Sequence, residues 1–266
     1  MTTSARSFAA GLWDTTRTVI WALLIAGVFR TVFYQPFWIP SGSMKETLLI
    51  GDFLFVNKFA YGWSRHSCPL SLCPIEGRLF GTMPERGDIV VFRHPVSGAD
   101  YIKRLIGLPG DRIQVRNGVL YLNGQVVPRQ HDGAFAEAFE RQGAAAQLPR
   151  CENAPVAPGL QCLKSRMIET LPNGVSYPVL NITNASRADN TPEFIVPEGH
   201  FFFMGDNRDN SIDSRFPQSA GGVGFVPFEN LIGRADRVMF SSAGTSMLAF
   251  WTWRPDRFFH SLHFGE

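Results

Sequence analysis

Residues 18–29 (TVIWALLIAGVF) and their continuation through Thr31, Val32, Phe33 and Tyr34 make up the only segment of this chain apolar enough to span a bilayer. A helix rises about 1.5 Å per residue, so roughly 20 residues cross a hydrocarbon core of about 30 Å, and both parts are needed. The charge between them, Arg30, is costly at the bilayer centre. Near the outer leaflet its stem can lie on apolar surface while its head reaches the headgroups beside Tyr34, Phe37 and Trp38. We therefore read 17–36 as a transmembrane anchor. Arg6 and Arg17 outweigh Asp14 before it, a weak positive-inside bias that keeps residues 1–16 in the cytoplasm. The competing reading is a cleaved secretory leader, since the same arginines precede an h-region of suitable length. No small-x-small junction follows the run, which favours the anchor. Everything after about residue 36 then folds outside the cytoplasm, beside a membrane surface.

That compartment bears on the cysteines. Cys68 and Cys73 are close in sequence, as are Cys151 and Cys162, and all four lie in the segment placed in an oxidising space. Two local disulfides are the simplest reading. A tetrahedral zinc site competes with it, but neither pair has C-x-x-C spacing or a set of nearby histidines. The net charge of +2 and the scattered Lys and Arg residues exclude an extended nucleic-acid surface. With 45% hydrophobic residues, the chain can build a buried core.

Beyond the anchor the pattern is mainly β. Residues 52–58 (DFLFVNK) and 88–92 (DIVVF) have the β-branched and aromatic content of strands. Asn117-Gly118 and Asn123-Gly124 bracket 119–122, as expected of tight turns with positive φ. Helical periodicity appears only in the Ala- and Glu-containing stretch 133–147. The composition turns polar, with Ala, Asn and Pro, over 128–197, which reads as an insertion between core segments 37–127 and 198–246. The tail 247–266 mixes aromatics with arginines, which suits either the bilayer interface or packing on the core.

Three blocks carry chemistry. Ile39-Pro40-Ser41-Gly42-Ser43-Met44 follows the anchor; Tyr101-Ile102-Lys103-Arg104 lies in an apolar strand-like stretch; Gly205-Asp206-Asn207-Arg208-Asp209-Asn210-Ser211-Ile212-Asp213-Ser214-Arg215 comes last. A serine hydroxyl needs a base to take its proton. None of the six histidines has a recognisable triad context. Lysine can serve only when neutral, so its reference pKa of about 10.4 must be lowered, at about 1.4 kcal/mol per unit. Alternation along a strand sends Lys103 and Arg104 to opposite faces, with Ile102 and Leu105 as apolar neighbours.

In these blocks and their order the chain resembles bacterial type I signal peptidase, the Ser/Lys dyad serine protease family. The resemblance implies a mainly β fold: an antiparallel-sheet catalytic domain with an inserted smaller β-rich region, preceded by one N-terminal transmembrane helix. It implies Ser43 as nucleophile and Lys103 as general base. Ser41 would join the Ser43 backbone N–H at the oxyanion. Ser211 would orient the lysine, and Gly205 would mark a position where a side chain crowds it. Arg104, Asp206, Asp213 and Arg215 would brace the site through ion pairs. Phe37, Ile39, Pro40, Met44, Leu48, Tyr101 and Ile102 would line a cleft for small side chains of Ala-x-Ala type. The implied partners are preprotein signal peptides and the lipid bilayer, for a single-pass monomer of the bacterial inner membrane with no metal or other cofactor.

One position departs from the family pattern. Glu46 stands where proline is usual after the Ser-Met pair, putting a charge near the cleft rim. Lys45 would share Ser43's face in an extended segment, but the family gives it no role as base. Each block alone has a plainer reading: a Pro-Ser-Gly-Ser turn, an edge-strand lysine, a turn or calcium loop without the EF-hand's terminal Glu. Two further alternatives are a LexA-like self-cleaving Ser/Lys protease and a catalytically silent envelope protein that binds peptides.

Overall fold

The computed structural model describes residues 2–68 and 71–262, with side chains from residue 11 onward. The first element is the helix Thr2–Val32, whose portion Gly11–Val32 is long and apolar enough to cross a membrane. It ends earlier than the expected anchor boundary at 36. Tyr34–Trp38 is instead a strand, paired antiparallel with Asp52–Asn57 in the register Tyr34↔Asn57 to Trp38↔Phe53. The last carbonyls of a helix lack intrahelical donors. Here Lys58 Nζ donates to Arg30 O at 2.8 Å and Trp63 Nε1 to Val32 O at 2.9 Å, so side chains of the β domain close the helix end. Those bonds tie anchor to domain.

The principal sheet has eight strands. Along it lie Tyr34–Trp38, Asp52–Asn57, Leu231–Ser241, Ile89–Arg93, Asp100–Gly107, His200–Met204 and Val226–Pro227, with His260–Ser261 added beside Leu231–Ser241. Every recorded pairing within it is antiparallel. The alternating burial of Asp52–Asn57 shows one face turned inward, and Leu54, Val56, Ile89, Val91, Ile232 and Val238 pack there with Met44 and Leu48. Apolar area removed from water contributes roughly 25 cal/mol per Å², so the segment bearing Ser43 is held by the same core that stabilises the sheet.

A smaller sheet joins Arg129–Ala138, Gln161–Thr170 and Ser176–Asn181. Its first strand corrects the helical expectation for 133–147. Ala134 to Ala138 pair with Gln161 to Ser165, and this non-local ladder overrides the local helix preference of alanine and glutamate. Both Asn-Gly turns form. Asn117 and Gly118 have φ of 48° and 73°, Asn123 and Gly124 of 53° and 79°, and the first joins Arg112–Arg116 to Val119–Leu122. The cysteines pair as Cys68–Cys73 and Cys151–Cys162. The tail divides between its two readings. Trp253 stacks on Phe240 at 4.6 Å and Arg257 pairs with Asp52 at 2.5 Å, whereas Leu248, Phe250 and Trp251 are exposed. Residues 263–266 lie outside the described residues.

Candidate active site

Ser43 sits in a single 3-10 turn, Gly42–Met44, between the strand Tyr34–Trp38 and the core segment at Leu48. The turn is pinned at both ends. Ile39 N–H donates to Asp52 O at 2.9 Å before it, and Leu48 N–H donates to Met44 O at 2.8 Å after it. Such a turn leaves the N–H of its second residue without a partner inside the helix, so the Ser43 amide remains a donor for something else. Asn207 grips the turn from outside. Its Nδ2 donates to Gly42 O at 2.9 Å and its backbone N–H to Ser43 O at 3.1 Å. No sequence feature gives Asn207 a part in this turn beyond its place inside the Gly-Asp-Asn block.

Lys103 reaches Ser43 across the interior. It stands on the strand Asp100–Gly107, and its Nζ lies 2.6 Å from Ser43 Oγ and 2.9 Å from Ile102 O. Only 4% of the residue is exposed. Burial pushes its pKa down to about 8; Asp213 and Asp206 pull it upward, and the Arg215 charge adds to the lowering. Those two carboxylates belong to arginines. Arg104 holds Asp206 through Nε at 2.8 Å and Nη2 at 2.7 Å, and Arg215 holds Asp213 through Nε and Nη2, both at 2.8 Å. Burial disfavours the Asp213 carboxylate, but Arg215 and the Gly205 N–H hold its pKa below the usual range. Thr47 Oγ1 also donates to Asp206, at 2.6 Å. The carboxylates near Lys103 are thus partnered elsewhere.

Ser41 Oγ is 3.5 Å from Ser43 Oγ. The resemblance implies that Ser211 and Gly205 act on the lysine. Ser211 Oγ is buried without a hydrogen-bond partner, so no bond from it to Lys103 is present. At Gly205 an added Cβ would lie 2.3 Å from Ser211 Oγ and 2.6 Å from Ser43 O. The nearest atoms that such a side chain would crowd belong to Ser211 and Ser43.

Ile39, Met44 and Leu48 are buried in one apolar cluster, with Phe37 and Ile102 packed against it, and Pro40 is exposed beside them. Tyr101 packs in a different cluster, with its ring 5.6 Å from Lys103 Nζ. The strand Asp100–Gly107 pairs with Ile89–Arg93 over residues 100–104, but with His200–Met204 only from Arg104 onward. Tyr101 to Lys103 therefore keep an edge outside that second ladder. Glu46 contacts Arg166 Nε at 2.9 Å and is half-buried, with its pKa raised by burial.

A buried amine on a serine hydroxyl, with an unspent amide on the same serine, is equipped for nucleophilic attack on a carbonyl. Among the described residues no cluster of His, Cys, Asp or Glu could hold a metal ion. The chain is similar to known proteins. The family model described as signal peptidase, peptidase S26, matches residues 12–240. Signal peptidase I of Rickettsia typhi is 42% identical over 83% of this chain and 77% of its own length. That of Rickettsia massiliae is 40% identical over 84% and 77%. A crystal structure of a signal peptidase I from Enterococcus faecalis is 28% identical over 57% of this chain and 97% of that one, with a TM-score of 0.30. With a buried lysine on a serine hydroxyl, and a family match spanning residues 12–240, the chain belongs to the signal peptidase family S26.

Proposed function

We propose that the protein is a membrane-anchored serine endopeptidase that removes signal peptides from exported preproteins, with Ser43 as nucleophile and Lys103 as base. The contact of 2.6 Å between Lys103 Nζ and Ser43 Oγ, inside a water-poor site, is the observation that carries this reading. Neutral Lys103 takes the hydroxyl proton as Ser43 Oγ bonds to the carbonyl carbon of the residue before the junction. The resulting oxyanion accepts hydrogen bonds from the Ser43 N–H and the Ser41 hydroxyl; one such donor is typically worth about 10² to 10³ in rate. Collapse of the intermediate breaks the C–N bond, and Lys103 passes its proton to the leaving amine. Water then attacks the ester, again losing a proton to Lys103, and restores free Ser43.

Substrate selection follows from the walls. A peptide laid extended along the edge at Tyr101 to Lys103 gains backbone hydrogen bonds. It places alternate side chains beside the partly exposed Phe37 and Ile102, with Ile39, Met44 and Leu48 packed behind them as an apolar wall that suits small residues such as alanine. Gly205, Arg104, Asp206, Asp213 and Arg215 act as support, and Ser211 packs beside Gly205. The helix Gly11–Val32 spans the inner membrane with its N-terminus in the cytoplasm, and the β domain works as a monomer outside. Sharing a bilayer with the substrate's own apolar segment raises the effective concentration of the junction.

The test is cleavage, by detergent-solubilised enzyme, of a preprotein with alanines at the two key positions before its junction. Cleavage at that junction by wild type and none by folded Ser43→Ala is expected. Failure of folded wild type to cut would overturn the reading.

A further inference from the structure

We propose that Glu137, on the inserted three-stranded sheet, is a positioning residue for the cleavage reaction, acting through Lys45 to hold the turn that carries Ser43. The inference rests on the reading of Ser43 as nucleophile.

Lys45 follows the turn directly, and three of its parts touch something. Its N–H closes the turn on Gly42 O at 3.3 Å. Its stem lies along Gly42, so that a Cβ there would be 3.2 Å from Lys45 Cε. Its head leaves the core and meets the inserted sheet, with Nζ 2.5 Å from Glu137 Oε2 and 2.7 Å from Gln142 Oε1. The position of the ammonium therefore sets the stem, and the stem bounds the turn at Gly42.

Glu137 is itself anchored. Lys164 donates to its other oxygen, and Gln142 Nε2 to Oε2 at 2.8 Å. In the ladder Glu137 stands opposite Cys162, which is bonded to Cys151. The neighbouring Arg150 donates from Nη1 to Asp209 O at 2.5 Å, within the block that supplies Asn207. The inserted region thus meets Lys45 through Glu137 and the Gly-Asp-Asn block through Arg150.

The charges make Glu137 the decisive member. Two buried ammonium groups share one carboxylate, with the Lys45 and Lys164 side chains only 4% and 1% exposed. Burial lowers the Lys45 pKa and the Lys164 charge adds to this, while Glu137 opposes both. Without the carboxylate, like charges would face each other in a dry site, and the Lys45 head would move toward water, releasing Gly42. Displacing a reacting group by about 1 Å can cost on the order of 10² in rate. Nothing in the sequence connects positions 92 residues apart.

The test compares full-length wild type, Glu137→Gln, Lys45→Met, the double variant and Ser43→Ala in detergent, measuring kcat, KM and thermal melting on one preprotein. Each single variant should lose about tenfold in kcat with KM within about twofold, and the double should match Lys45→Met alone, because Glu137 acts only through that lysine. An unchanged kcat in folded Glu137→Gln, or losses that multiply in the double, overturns the proposal. A purely structural role would lower the melting temperature and leave kcat intact, which also overturns it. Should Glu137→Gln fail to fold, Lys45→Met decides, since it leaves Glu137 paired with Lys164; normal kcat there rejects the idea. Cleavage surviving in Ser43→Ala would instead sink the nucleophile assignment and leave the clamp without its reaction.

Discussion

Two buried lysines flank the Ser43 turn, and their surroundings differ in one respect. Lys45 and Lys103 are 3% and 4% exposed, and burial lowers the pKa of both. Lys45 meets a carboxylate at 2.5 Å, while the hydrogen-bond partners of Lys103 are a hydroxyl and a backbone carbonyl. A paired ammonium keeps its proton because the ion pair replaces lost hydration; one facing neutral groups can give the proton up. Burial alone does not make a base. On the proposed mechanism, the absence of a direct ionic partner, with Asp206 and Asp213 held by Arg104 and Arg215, is what separates a base from a paired lysine.

The largest test of that contrast is Lys103→Ala, which should lower kcat by about 10³ to 10⁴ in steady-state cleavage assays, against about tenfold for Lys45→Met. Near-normal turnover in Lys103→Ala would break the distinction outright. Gly205→Ala should cost about 10² in kcat and about 1–3 kcal/mol in urea unfolding, because the new Cβ must displace Ser211 and the Ser43 carbonyl. Wild-type rate in that variant would show that the two serines can shift freely.

The pH profile sharpens the comparison. Lys103 must be neutral to act, so kcat/KM should rise about tenfold per pH unit below about 8 and level off above it. A flat profile from pH 6 to 8 would contradict an amine base. Stability has a definite sign as well. The folded pKa of about 8 lies below the unfolded value of about 10.4, so burial of this lysine costs up to roughly 3 kcal/mol below pH 8, relieved as pH rises toward 10.4. Lys103→Met should therefore stabilise the fold at pH 7 by about 1–3 kcal/mol, a gain that shrinks in alkaline unfolding curves. A loss of stability at pH 7 would mean that the contacts with Ser43 and Ile102 outweigh the burial cost.

The smallest effect is expected at Glu46. Its pair with Arg166 is partly solvent-exposed, and such pairs contribute about 0–1 kcal/mol. Glu46→Gln should change kcat by less than about twofold. A larger change would give the rim charge a part in recognition.

Much of the site could be read in advance because its groups belong to short, contiguous patterns. Ser41, Gly42 and Ser43 are neighbours, and strand alternation alone sends Lys103 and Arg104 apart. Asp213 and Arg215 pair two residues apart along the chain. The misses share a cause. Residues 133–147 read as helical from local composition, whereas their strand exists through pairing with Gln161–Thr170. The helix end moved to Val32 because Lys58 and Trp63 cap it from the β domain.

By itself, the sequence determined the apolar anchor, the β character, the family, and which serine and lysine could work together. These follow from hydropathy, residue type and order along the chain, properties that exist before folding. Only the tertiary structure decided which buried lysine lacks an ionic partner, where Gly205 must stay small, and that Glu137 reaches the turn beside Ser43. Each depends on distances between segments far apart in the chain, and in a low-dielectric interior those few ångströms decide whether an ammonium is paired or can surrender its proton.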